Sequence, residues 1–242
     1  MQVDPGNQVA GGPRNPVLAA DPNSQALYMV WYSDAEAKNQ SPGFQGNLDI
    51  FFRRSLDGGK TWSERQVLND DTKTGGKAHQ FDPGIAIAPD GRVDVAWYDG
   101  RFSPKPPATG AGTNERGFQE VFYTSSMDQG RTWRSNLRVN DRSIDRSIGV
   151  WGNNIGSSHN IGISSSADSV YFAWQEPRVP HPELQPEDVY MSALKLGTQT
   201  SSADDPPSTS VPSVVFVLAG IAVGMGTGMI VVWAFGRRNA TS

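Results

Sequence analysis

One element repeats in this chain, and it sets what the chain can fold into. Ser55-Leu-Asp57-Gly-Gly59-Lys-Thr-Trp62 and Ser126-Met-Asp128-Gln-Gly130-Arg-Thr-Trp133 share the pattern S-x-D-x-G-x-T-W and lie 71 residues apart. Self-similarity at a fixed period points to stacked units rather than one continuous core. A longer unit recurs around the element. The run Ala26 to Asp34, with Trp31, aligns with Val93 to Asp99, with Trp97, and with Val170 to Glu176, with Trp174. Asn15-Pro-Val-Leu, Asp82-Pro-Gly-Ile and Asn160-Ile-Gly-Ile precede these runs, and Leu48 to Phe52, Gln119 to Tyr123 and Glu187 to Met191 follow them.

Each run alternates apolar and polar residues at strand length, the period of a pleated strand with one face buried. The first two units add a fourth run after the motif's Trp, Gln66 to Leu68 and Leu137 to Val139. Four short strands per unit of about 65–77 residues is the layout of a β-propeller blade. Composition agrees: 26 Gly and 17 Pro supply turns, and 7 Trp favour sheets over helices. The chain has no cysteine, which excludes disulfides and thiolate metal sites. Its net charge of -4 and scattered Lys and Arg leave no groove for nucleic acid. No motif requires a cofactor.

The S-x-D-x-G-x-T-W element, in two copies, resembles the Asp box of the sialidase (neuraminidase, BNR-repeat) β-propeller superfamily. The resemblance covers about Pro13 to Leu196. Asp57 and Asp128 are placed to accept amide hydrogens within their own turns. Gly59 and Gly130 suit positive φ, and Trp62 and Trp133 are expected to fill the blade core. Ser55 and Ser126 open the two boxes. The resemblance implies that these residues are structural and face away from any active site. It also implies a substrate-gripping arginine triad, a tyrosine nucleophile paired with a glutamate, and an aspartate acid/base. The Phe/Tyr-Arg-Ile-Pro element that carries the first arginine is absent, and no tyrosine stands in the nucleophile's context. The superfamily includes non-catalytic propellers that share only the Asp boxes, and fold does not decide function.

The reading is therefore an all-β chain, about three sialidase-like blades in a partial ring, followed by one transmembrane helix. Residues 1–196 hold the blades and 197–213 a Ser/Thr/Pro-rich linker. Residues 214–235, Val214 to Phe235, are 22 residues without a charge, roughly 33 Å as a helix. Residues 236–242 form the tail, and Arg237 and Arg238 place it in the cytoplasm, leaving the blades extracellular. Met1 to Pro16 has no apolar core of a signal peptide. Three blades do not close a ring, whereas the sialidase family uses six. The expectation is a C-terminal portion of a larger propeller, or two copies joined into one ring. Gly220, Gly224 and Gly228 lie on one helix face and predict packing against another transmembrane helix, a partner's or its own copy's.

Function is sought on the face opposite the Asp boxes, where the long loops emerge. The candidates there are Asp99, Arg101, Glu176 and Arg178, carboxylates and guanidinium forks suited to an acidic sugar or acting as local ion pairs. Asp82, His79 and His159 lead into the first strands near the axis. Two histidines so spaced make no metal site. The best-supported function is a membrane-anchored, non-catalytic module that binds a glycan or a protein. The alternatives are part of an exo-sialidase-type glycoside hydrolase and an accessory subunit of a membrane complex.

Overall fold

The computed structural model describes residues 14–34, 48–71, 78–102, 118–145, 161–178, 188–196 and 214–215. These residues are all-β. Thirteen strands form three antiparallel sheets, and the first two sheets begin as simple meanders of neighbours in sequence. The first sheet is β1 (Arg14–Ala20), β2 (Leu27–Asp34), β3 (Leu48–Ser55) and β4 (Gln66–Val67). The second is β5 (Gln80–Ile87), β6 (Val93–Asp99), β7 (Phe118–Ser126) and β8 (Leu137–Arg138). A short β9 (Ile144–Asp145) pairs with the start of β7, a strand that the repeat pattern does not announce. The third sheet is β10 (Gly162–Ser165), β11 (Ser169–Glu176), β12 (Asp188–Lys195) and β13 (Val214–Val215).

The repeat holds at the level of register. Trp31 lies opposite Phe51, Trp97 opposite Phe122, and Trp174 opposite Tyr190. All three tryptophans are buried, at 1 %, 0 % and 2 % exposure. The first strands pack side by side, β1 against β5 and β5 against β10, so the sheets stack through their leading strands. Gly84 makes the second approach possible: a Cβ there would meet the Ile161 carbonyl oxygen at 2.7 Å.

Strand alternation sends the central strand of the second sheet to two neighbours. Val93, Val95 and Trp97 join the core shared with the first sheet, alongside Tyr28, Val30 and Phe52. Ala96 and Tyr98 turn the other way and join the core shared with the third sheet, alongside Phe172 and Trp174. With both faces covered, β6 is buried along its whole length, including Asp94, which Arg92 and the Tyr123 hydroxyl satisfy.

Two expectations change. Trp133 does not fill its own blade. Its ring meets Phe52 of the preceding sheet edge-on at 4.8 Å, so it fills the junction between sheets. The third unit also gains a fourth strand, because Val214 and Val215 pair with Leu194 and Ala193. Those two residues open the apolar segment that the sequence assigns to a helix from Val214. The rest of that segment, with Gly220, Gly224 and Gly228, lies outside the described residues, as do the linker and the tail. Among the described residues no helix is long and apolar enough to cross a membrane.

Candidate functional site

Strand direction separates two faces. Both Asp boxes follow the third strand of a sheet and lie at one end. The starts of β1 and β5, the ends of β2, β6 and β11, and the chain after β4 and β8 lie at the other.

In both Asp boxes the aspartate carboxyl is satisfied within its own turn. Asp57 accepts hydrogen bonds from the Thr61 amide at 2.9 Å, the Thr61 hydroxyl at 2.6 Å and the Ser55 hydroxyl at 2.7 Å. Asp128 accepts from the Thr132 amide at 2.9 Å, the Thr132 hydroxyl at 2.6 Å and the Ser126 hydroxyl at 2.7 Å. Hydrogen bonds from Thr61 and Ser55 hold the Asp57 carboxyl well below the usual carboxylate range, and those from Thr132 and Ser126 do the same for Asp128. Gly59 and Gly130 adopt φ of 87° and 77°. These carboxyls spend their hydrogen-bonding capacity within the turn.

On the opposite face the structure gives Asp99, Arg101, Glu176 and Arg178 one shared geometry, used twice. Residues i and i+2 of a strand share a face, so each acid sits beside its own tryptophan. Trp97 Nε1 donates to Asp99 Oδ2 at 3.0 Å, and Trp174 Nε1 donates to Glu176 Oε2 at 2.9 Å. Arg101 then clamps Asp99 through Nε and a terminal nitrogen, at 3.0 and 2.8 Å, and reaches Asp70 of the preceding sheet at 2.6 Å. Arg178 pairs with Glu176 at 2.9 Å and with Asp141 of the preceding sheet at 2.9 Å. Each guanidinium also lies over an aromatic ring of its own sheet, Phe122 at 4.0 Å and Tyr190 at 3.8 Å. Burial disfavours the charge on Arg101, but Asp99 and Asp70 outweigh it and raise its pKa. Glu176 and Asp141 outweigh burial at Arg178 in the same way. For Asp70, burial opposes ionisation, yet Arg101 and the Asn136 amide prevail and lower its pKa. The clasp Trp-x-acid-x-Arg thus ties the second sheet to the first and the third sheet to the second.

The asparagines that follow the fourth strands brace this edge. Asn69 accepts from the Ile50 amide and donates to Asp49 and Asp71, at 2.9, 2.7 and 2.8 Å. Asn140 accepts from the Val121 amide and donates to Glu120, at 2.9 and 3.0 Å. Gln80, wholly buried, donates to Asp71 at 3.0 Å. His79 is buried beside it and accepts from the Leu48 amide at 3.4 Å. His159 lies outside the described residues. Among the described residues no cluster of three or more His, Asp or Glu could hold a metal ion.

The remaining feature lies where β1 and β5 begin. Asn15 and Asp82 occupy the same repeat position, both with positive φ, 46° and 49°, and both precede proline. Asn15 Nδ2 donates to Asp82 Oδ1. Each strand then skips register, between Arg14 and Val17 and between Phe81 and Gly84. A residue before proline is pushed toward extended backbone, so the left-handed φ of both residues runs against that preference, although Asn and Asp are the side chains that best tolerate it. The pair lies beside the exposed Arg14. Asn15 and Asp82 align in the sequence as entry residues of the first strands, and the shared Asn-Pro and Asp-Pro steps are the signal that links them.

No protein-family model matches the chain, and neither does any curated protein. Several solved structures are similar to it. The Hadza microbial sialidase Hz136 shares 17 % identity at a TM-score of 0.49, over 78 % of this chain and 36 % of that one. The NanB sialidase from Streptococcus pneumoniae shares 10 % at 0.45, over 83 % and 45 %. The Trypanosoma rangeli sialidase shares 8 % at 0.46, over 88 % and 32 %. These structural neighbours are sialidases, and this chain spans less than half the length of each.

Proposed function

We propose that this chain is a membrane-anchored, extracellular sialidase-like propeller portion that binds a glycan without hydrolysing it. The observation that carries the reading is the Asn15–Asp82 pair. Strained backbone at equivalent, non-glycine positions persists where the surrounding structure enforces it, and such strain concentrates at ligand sites. The buried Asp82 carboxylate fixes the half-buried Asn15 amide, which offers its remaining capacity to sugar hydroxyls, and the exposed Arg14 supplies a guanidinium for an acidic group. The non-hydrolytic part rests on the engagement of Arg101 and Arg178. Their forks are committed to ion pairs between sheets, so gripping a substrate carboxylate would require breaking a clasp.

Membrane anchorage rests on the apolar segment. Residues 216–235, beyond the paired Val214 and Val215, still reach across a hydrocarbon core of about 30 Å at 1.5 Å per residue. Arg237 and Arg238 set the orientation, and the Gly220, Gly224 and Gly228 face packs on a second helix.

The test is an array of sialylated and neutral glycans probed with the full chain in detergent, alongside a fluorogenic sialoside assay. Binding lost in Asp82→Ala and in Asn15→Ala, with no turnover by the parent chain, is the expected result. Turnover abolished by Arg101→Ala or Arg178→Ala would restore the hydrolase reading. Absence of glycan binding with the fold intact would overturn the glycan reading.

A further inference from the structure

The two junctions between sheets use the same positions twice, and both ends of the stack carry those positions again. At the first junction the second sheet offers Ile85, Val93 and Val95, exposed by 9 %, 0 % and 0 %. The first sheet has Leu18, Leu27 and Met29 at these register positions, since Leu18 lies opposite Met29 as Ile85 lies opposite Val95. Leu18 is 56 % exposed, and Leu27 and Met29 are half-buried. The first sheet meets the second with Tyr28, Val30, Ile50 and Phe52, all buried. The third sheet has Tyr171, Ala173, Val189 and Met191 at those positions. Tyr171 is 42 % and Val189 61 % exposed.

The leading face of the first sheet therefore has the chemistry of a surface that buries against tyrosine and aliphatic side chains. The trailing face of the third sheet presents that set, residue for residue: Tyr, a small aliphatic, a β-branched aliphatic and a large apolar group. An independent observation marks the leading face. Trp133 Nε1 donates to Gln66 on the fourth strand of the preceding sheet at 3.1 Å. Its counterpart Trp62 Nε1 is buried with no hydrogen-bond partner among the described residues. A buried donor left unmatched is destabilising, and an acceptor on an incoming sheet would relieve it.

We infer that the leading face of the first sheet docks on the trailing face of the third sheet of a second copy of this chain, and reciprocally. Two such contacts close a two-fold pair with six sheets in a ring, within the usual range for propellers. The occupant is assigned to a second copy because the chain's own first junction is the template for the contact and its own third sheet supplies the matching face.

The chain has no cysteine, so engineered disulfides give an unambiguous test. Leu18 and Tyr171 lie on the outermost faces of the first and third sheets, so a Leu18→Cys/Tyr171→Cys disulfide joins two copies. The full chain in detergent micelles is expected at twice the monomer mass, and mild oxidation of that double variant should yield a covalent dimer. Leu18→Arg and Tyr171→Arg, both at exposed positions, should each shift the mass to the monomer while retaining the sheet signal in circular dichroism. A monomeric parent chain would overturn the inference and leave these faces to further sheets of a longer chain or to another protein. So would a dimer that survives both arginine variants, forms no Leu18→Cys/Tyr171→Cys disulfide and dissociates with Gly224→Leu, since association would then belong to the glycine face of the helix.

Discussion

The two Asp boxes share a turn but not a neighbourhood. In both, a serine and an aspartate collect the amides of the turn, and a glycine at φ near 80° closes it. The second box also grips the sheet before it. Gly130 sits so close to Phe52 that a Cβ would lie 2.4 Å from the ring, its carbonyl accepts from Gln66 at 3.1 Å, and Arg54 donates to the Gln129 carbonyl at 2.7 Å. At the first box, the nearest atom to a Cβ on Gly59 is a Leu27 methyl at 3.3 Å. A box motif thus encodes a turn, and the preceding sheet decides whether that turn also becomes an interface.

The clasps show the same contrast. The first sheet has Ser33 where the others have Asp99 and Glu176, and Ala35 where they have Arg101 and Arg178. Arg65, from just beyond the first box, covers the ring of Phe51 at 4.3 Å, the ring equivalent to those under Arg101 and Arg178. The cation over the ring is kept, and the tie to a preceding sheet is not.

The largest effect should come from breaking a clasp. Arg101→Ala leaves the fully buried Asp99 carboxylate without its cation and should cost about 3–5 kcal/mol in chemical denaturation. Arg178→Ala should cost less, because Glu176 keeps Arg142 at 2.9 Å. Equal losses would mean that the two clasps do not differ as their geometry indicates.

Gly130→Ala comes next. It combines left-handed backbone with overpacking against Phe52 and should cost about 3 kcal/mol, against about 1–2 kcal/mol for Gly59→Ala, where the backbone is the main objection and the Leu27 methyl need yield only slightly. Similar values for the two would remove the distinction between the boxes.

Acid should act on both boxes and on the first clasp. The carboxyls of Asp57, Asp128 and Asp70 have lowered pKa values in the folded chain. Their contribution is fully present above the unfolded pKa, about 3.9, and is lost as pH falls through the folded values. Stability followed by denaturation from pH 6 to 2 should therefore decline below about pH 4, and Asp57→Asn with Asp128→Asn should flatten the decline.

The smallest effect is a gain. Gln129 holds φ of 62° where the first box has Gly58 at 69°. Gln129→Gly removes the left-handed penalty, loosens the unfolded chain, and should stabilise by at most about 1 kcal/mol. A loss would mean that the Gln129 side chain contributes more than its backbone costs.

The repeat, the strand order within each sheet, the three buried tryptophans and the Asp-box turns were legible from residues alone. Each depends on interactions within a few residues or on the two-residue period of a strand, and both are written along the chain. The roles of Asp99, Arg101, Glu176 and Arg178 were not. The sequence shows an acid and an arginine two residues apart, a pattern equally suited to a ligand site and to an ion pair. The partner that settles their geometry is Asp70 or Asp141, more than thirty residues away and brought near only when one sheet stacks on the next. Trp133 departs from expectation for the same reason, since its neighbour is Phe52 of another sheet. The Asn-Pro and Asp-Pro steps at Asn15 and Asp82 could be aligned from the sequence, but the hydrogen bond between them, across 67 residues, appears only when the first two sheets stack. Turns and strands follow from local chemistry, whereas junctions follow from which surfaces burial brings together, and that was decided by the tertiary structure.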